Sequence, residues 1–269
     1  MTQAEYVPFF YAFFCAVALE GSVLLLSAVL SPRFFPEAFR SFENDPKRFG
    51  FGHLWHTTVA GVGASIFGPA CAFPALLDLA RNATASGALV AAPPAKLWVG
   101  LGFSMAHFFL DAAVMLAWRK PFLAAMRKPL YFQMLAHHGL SLLLWPYALA
   151  SHRVVGFIAY FMCTECSALF LNARWLIVQC SPDGAPRPKV VDALFFASFV
   201  LTRIVPVPVA CYVVWMADTV SYVRDSTSLA VAVTLLTVPI PFALNAFWFN
   251  LVLKSARRAT SDSASAKKA

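Results

Sequence analysis

Seven apolar stretches, each about as long as a bilayer is thick, follow one another along this 269-residue chain. They fall at roughly residues 6–30, 52–79, 97–118, 131–150, 154–178, 190–217 and 228–253. A helix crossing the hydrocarbon core needs about 20 mostly apolar residues. In lipid, only a helix or a closed barrel satisfies its own backbone hydrogen bonds, and stretches this long and continuous read as helices. The breaks fall where Pro, Arg, Lys and Ser gather: SPRFFPEAFRSFENDPKR, RNATASGALVAAPPAK, WRKPFLAAMRKP, SHR, SPDGAPRPK and RDSTS. Such clusters end helices. The expected fold class is therefore an all-α membrane protein, a bundle of about seven transmembrane helices. Hydrophobic residues make up 60% and charged residues 13% of the chain, which excludes an ordinary soluble domain. The first stretch begins acidic rather than basic and is too long for a cleavable signal peptide.

Charge placement sets the expected orientation. Of the 21 Lys and Arg, Arg174 and Arg203 lie inside spans. Four others (Arg81, Lys96, Arg153 and Arg224) fall on one side and the remaining fifteen on the other. Basic loops stay cytosolic, so the N-terminus is expected to be lumenal and the C-terminus cytosolic. A six-span count would spoil that separation. The net charge of +8 then reflects topology and attraction to anionic headgroups, and no nucleic-acid partner is implied. The sequon Asn82-Ala83-Thr84 lies in an expected lumenal loop. The six cysteines form no disulfide framework, and the lone Cys163-x-x-Cys166 pair lacks the second half of a zinc site, so no metal is expected. No internal repeat is evident, which counts against transporters built from tandem halves.

Function is most legible in the polar residues kept inside the apolar stretches. A charge at bilayer centre costs about 2.5–3.5 kcal/mol on insertion scales. At a rise of 1.5 Å per residue, His138, Asp111 and Asn172 come out about 10 Å from the basic side, with His56 shallower and Asn245 slightly deeper. Glu165, Arg203 and His107 come out near the midplane, at about 16–20 Å. His107 and Asp111 share a helical face, as do Glu165 and Asn172. Glu165 is expected to be neutralised by Arg203 or held protonated. Bland roles compete at several positions. His53 and His56 suit an interface, Asn245 and Asn250 suit interhelical hydrogen bonding, and Arg174 can snorkel or hold a phosphate. Glu20, alone on the first stretch, is left undecided. The candidate catalytic residues are His137, His138, Asp111 and Glu165, and the candidate substrate-binding residues are His56, Asn172, Arg174, Arg203 and Asn245.

These residues resemble a known family. The His137-His138 pair, then ECSALFLNARW from Glu165, FVLTR ending at Arg203 and LNAFWFNLVLK from Leu244, preceded by Asp111 in HFFLDAAVM, look like the TLC-domain membrane proteins. The likeness runs from about Phe49 to Lys254. It divides the chain into a first helix and cytosolic loop (1–48), a TLC-type transmembrane domain (49–254) and a disordered cytosolic tail (255–269). The family includes the ceramide synthases, in which the histidine pair serves acyl transfer from acyl-CoA to a sphingoid amine. A neutral imidazole can take an acyl group or a proton. Ceramide synthases, however, carry a His-Asp-x-x-Asp run in the next span, where this chain has Glu165 as its only acid. The E-x-S-x-x-F-x-N-x-R-W pattern is closer to the small TLC-domain proteins of lipid homeostasis.

The resemblance thus implies a protein of the endoplasmic reticulum or another internal membrane. It would bind a lipid or acyl chain in a cytosol-open cavity and act on membrane lipid composition, with membrane lipids as partners and no cofactor. The alternative is a ceramide-synthase-like N-acyltransferase with acyl-CoA as co-substrate and a sphingoid base as acceptor. A seven-helix receptor or transporter is a further alternative, against which stands the absence of a lysine inside the seventh stretch.

Overall fold

The computed structural model describes residues 6–82, 89–181 and 189–266, and among these the chain is helical apart from turns and one isolated bridge between Val90 and Arg153. In chain order come α1 (Val7–Phe34), a short α2 (Pro36–Asn44), a 3-10 turn (Pro46–Arg48), α3 (Phe51–Asn82), α4 (Ala95–Ala117) and a short α5 (Arg119–Ala125). Next are α6 (Lys128–Ala150), α7 (Val155–Thr164), α8 (Cys166–Cys180), α9 (Lys189–Phe199) and a π-helical turn (Val200–Ile204). Last are α10 (Val207–Met216), a short α11 (Thr219–Arg224), α12 (Ser228–Thr237) and α13 (Pro239–Ala266). Six helical stretches are long and apolar enough to cross a membrane: Val7–Phe34, Pro46–Arg81, Ala95–Ala117, Val155–Cys180, Lys189–Met216 and Ser228–Ser255. The remaining expected stretch is α6. Its 23 residues extend about 34 Å, but Gln133, His137 and His138 dilute its apolar character, and it is not among the six.

Even so, α6 runs from one end of the bundle to the other. At its start the Tyr131 hydroxyl donates to the Met115 carbonyl near the end of α4 (3.1 Å). Just beyond its other end, the His152 carbonyl accepts from Ala91 N (3.3 Å), and Val154 N donates to Leu89 O (2.7 Å). Val154 sits at φ 48, a strained value for a β-branched residue, and the bond to Leu89 helps hold it there. One end of the bundle therefore gathers α2, α5 and the end of α8. Arg48 bonds Ser41 and, at 2.6 Å, Gln179 of α8, while the His53 ring lies against Trp118. Among the described residues, Arg33, Arg40, Lys47, Arg48, Arg119, Lys120, Arg127 and Lys128 stand at or next to this end. The opposite end holds the 89–94 and 151–154 loops and Tyr222, with the Arg153 guanidinium 5.1 Å over its ring.

Without a hydrophobic force between helices in lipid, close approach depends on small residues. Two glycines of α4 show this. A Cβ on Gly102 would lie 2.7 Å from the Ala12 Cβ and the Phe9 carbonyl oxygen of α1, and one on Gly100 would lie 2.9 Å from the Cys71 Cβ of α3. Thus α4 seats α1 on one side and α3 on the other. Around it Leu97, Leu101, Met105 and Phe108 meet Trp145, Leu149, Ile158 and Met162 in the main core.

Three of the long stretches are interrupted, which the apolar pattern does not reveal. The fifth breaks between α7 and α8, where Ala168 N bonds Glu165 O (2.9 Å) and the Thr164 carbonyl is left without its helical donor. The sixth contains the π turn, closed by Val205 N to Val200 O (2.9 Å). Pro206 follows directly, with no N–H and a ring that crowds the preceding turn. The seventh breaks at Val238, ahead of Pro239 and Pro241. The last helix continues to Ala266, into the stretch expected to form a loose tail. Asn82 ends α3, and the rest of its sequon lies outside the described residues.

Candidate functional site

The interruptions place polar groups in the interior. The released Thr164 carbonyl accepts from Arg203 Nη2 (3.1 Å) and from Ser167 Oγ (2.8 Å). Arg203, on the π turn, is only 7% exposed. Its other donors reach Ser167 Oγ through Nε (2.8 Å) and Asn245 Oδ1 of α13 through Nη1 (2.8 Å). Glu165 Oε1 stands 3.6 Å from Nη2. The guanidinium also lies over Phe199 and, at 5.4 Å, over Trp248. A buried charge is tolerable only when paired and hydrogen-bonded, and Arg203 is both. π turns recur at functional sites because they re-aim one side chain out of helical phase; here that side chain is Arg203.

A second group also reaches Trp248. His138 of α6 is 3% exposed, and its Nδ1 stands 3.3 Å from Asp111 Oδ2 of α4. The angle is too poor for a hydrogen bond, so Nδ1 is buried without a partner. The His138 ring stacks on Phe108, centroids 5.0 Å apart, and lies 6.1 Å from the His107 ring. His107 Nδ1 is hydrogen-bonded to Glu20 Oε2 of α1 at 3.2 Å. Next to it, Gly61 of α3 leaves room for both His107 and Asn172, since an added Cβ would lie 2.8 Å from His107 Cε1 and 3.7 Å from Asn172 Nδ2. His137 bridges the two groups. Its ring is 5.4 Å from that of His138 and 5.7 Å from Trp248, whose indole N–H donates to Gln133 Oε1 at 3.3 Å.

The result is one continuous polar row, Glu20–His107–Asp111–His138–His137–Trp248–Arg203–Glu165, drawn from α1, α4, α6, α13, the π turn and the α7–α8 junction. The expected pairing of Glu165 with Arg203 is found. The two depth layers divide differently from expectation: His107 stands with Asp111 and His138, and Asn245 stands with Arg203. Rise per residue fixes backbone depth, but side chains reach about a turn from it: His107 is one turn from Asp111 on α4, and the Arg203 guanidinium extends from the π turn to Asn245.

Two candidates stand apart from the row. His56 Nδ1 lies 3.0 Å from Ser27 Oγ, and its ring stacks on Phe39. Arg174 pairs with Asp192 of α9 through Nε, one helix away from the histidines. Sequence reasoning left Glu20 undecided, and it is 4% exposed in the site. A depth count from the basic end of α1 puts Glu20 about 21 Å in, within a turn or so of His107, and that was the signal available. Gln133 and Trp248 gave no such signal, because neither is ionisable.

Beside His137, between α6 and the α12–α13 break, is a void of about 20 Å³ lined in part by Ser141, Thr237 and Pro241, room for about one water molecule. The Thr237 hydroxyl there is buried with no partner.

Residues 54–254 match the family model of the TLC domain (TRAM/LAG1/CLN8), and the chain belongs to that lipid-related family of multi-pass membrane proteins. No curated protein and no solved structure matches the chain. The matched region contains every residue of the polar row except Glu20, which α1 brings in from outside it.

Proposed function

We propose that this protein binds a lipid acyl chain in an intramembrane cavity beside His137 and His138 and acts in membrane lipid homeostasis at the endoplasmic reticulum or another internal membrane. The observation carrying this is the pairing of buried His138 with half-buried Asp111 inside a TLC domain. Packing alone needs neither a carboxylate nor two adjacent imidazoles at that depth, and each is costly there. With Asp111 facing Nδ1, Nε2 of His138 is the nitrogen left to meet a ligand. The carbonyl end of the chain lies against the imidazoles, and its hydrocarbon runs between α6 and the α12–α13 break. The water-sized void is the closed form of that cavity, and entry requires α6 and the α12–α13 pair to part. Replacing both histidines with alanine in cells is expected to alter the ceramide or phospholipid profile. An unchanged profile from a folded, correctly localised double mutant removes the site.

The same pair favours a second reading, N-acyl transfer from acyl-CoA to a sphingoid base. Asp111 would orient His138, an imidazole would take the proton of the amine as its nitrogen bonds the thioester carbonyl carbon, and the C–S bond would break with CoA leaving as the thiol that receives that proton. Purified protein given both substrates would then yield ceramide, and no product across several acyl lengths ends this reading.

We further propose that α6 is a seventh crossing, so that the basic end is cytosolic and the N-terminus lumenal. Support comes from its end-to-end course and from the four-to-fifteen division of Lys and Arg. In a cysteine-free variant carrying Glu43→Cys, on the exposed face of α2 at the basic end, an impermeant maleimide added to sealed microsomes is expected to label the protein. Protection of that cysteine reverses the orientation.

A further inference from the structure

A cleft of about 610 Å³ opens near the basic end between α1, α3 and α8, lined by Ser31, Phe35, Trp55, Val59, Leu176, Ile177, Cys180 and Ser181. Its size falls within the roughly 300–1,000 Å³ of small-molecule sites. None of its lining residues belongs to the polar row. The walls are mostly apolar, and of the two lining hydroxyls the one without a bond inside its own helix backbone is that of Ser31. That hydroxyl is the outer end of a buried chain: Ser31 Oγ lies 3.0 Å from Ser27 Oγ, which lies 3.0 Å from His56 Nδ1. Such a chain runs either way, because each hydroxyl both donates and accepts. With the proton on His56 Nδ1, His56 donates to Ser27, Ser27 donates to Ser31, and Ser31 donates into the cleft. Trp55, in the same wall, is 2% exposed, and its indole nitrogen has no hydrogen-bond partner.

We propose that this cleft is a second lipid site, holding one acyl chain of a glycerophospholipid with its ester carbonyl against Ser31. Three features select that occupant. All three walls belong to membrane-spanning stretches, so the surrounding medium is hydrocarbon. The lining on α8, from Leu176 to Ser181, covers only about 8 Å of helix, too short a seat for a partner helix about 10–12 Å across. It is long enough for the first carbons of a chain whose remainder continues into the bilayer. The Ser31 hydroxyl gives an otherwise apolar slot a donor that fits a carbonyl at the end of a chain. This site gives His56, which lies away from the histidine pair, a role as the inner anchor of the Ser31 hydroxyl.

The full chain in phosphatidylcholine nanodiscs, doped with phosphatidylcholine carrying a diazirine near one acyl carbonyl, tests this. After irradiation, adducts are expected to concentrate in peptides covering residues 31–35, 55–59 and 176–181. Filling the slot by Val59→Trp or, independently, Ile177→Trp is expected to cut that labelling several-fold at unchanged melting temperature. Ser31→Ala is expected to lower it without filling the slot. The double His137→Ala, His138→Ala variant should label the cleft as the parent does, so failure here and failure at the histidines read out separately. Adducts spread evenly over the lipid-facing surfaces of α1, α10 and α12, or labelling indifferent to both tryptophans, overturns the proposal.

Discussion

Arg203→Met is expected to destabilise the protein by about 3–5 kcal/mol, the range for removing one partner from a buried charge pair. The substitution keeps volume and apolar contact with Phe199 and Trp248, so the loss isolates the polar part. Without the guanidinium, Glu165 loses its cation at 3.6 Å and Asn245 Oδ1 loses its donor at 2.8 Å. The Asn245 amide nitrogen already lacks a partner, so the whole side chain is stranded. The Thr164 carbonyl, freed by the break between α7 and α8, keeps only Ser167. Thermal unfolding in detergent should show a large drop, partly recovered in the Arg203→Met, Glu165→Gln double variant because the uncompensated carboxylate is then gone. A melting temperature equal to the parent's means the three helices are not tied through this residue.

Gly102→Leu is expected to lift α1 from α4, at a cost of about 1–3 kcal/mol for overpacking and more if the backbones cannot part. At this position the obstacle is backbone as well as side chain: the Phe9 carbonyl oxygen lies 2.7 Å and Phe13 N lies 2.9 Å from a would-be Cβ. Moving α1 also withdraws Glu20 from His107, so two effects should appear together: a lower melting temperature and faster amide exchange along α1. Gly21→Leu provides the contrast, since a Cβ there meets nothing within 4 Å and is expected to change neither. If Gly102→Leu behaves like Gly21→Leu, α1 is not seated as described.

Fold class was legible because it depends on run length and charge, both local properties of the chain. His138 and Asp111 were legible as partners because α4 and α6 are continuous helices, along which residue number converts to depth. The same conversion put Arg203 at the depth of Glu165, and the two pair, but it separated Asn245 from them. Asn245 and the basic end share the continuous α13, and the long Arg203 side chain, aimed by a π turn invisible to periodicity, spans the difference. Glu165 was matched to Arg203 by depth and charge together, although the helix break that puts it there was not foreseen. Arg174 had two sequence readings, snorkelling or phosphate binding, and the structure supplies a third partner, Asp192, from a helix whose contact with α8 no local pattern encodes. Helix α6 illustrates the converse: the residues that give the site its chemistry are the ones that weaken its signature as a membrane span.

The most direct measurement is electron cryomicroscopy of the protein in nanodiscs of native lipid. Continuous acyl-chain density between α6 and the α12–α13 break, with its polar end within hydrogen-bonding distance of His137 or His138, is the expected result. Close-packed helices there, with at most a single water beside Thr237 and lipid confined to the outer surface, would contradict a lipid-binding role for the histidine pair.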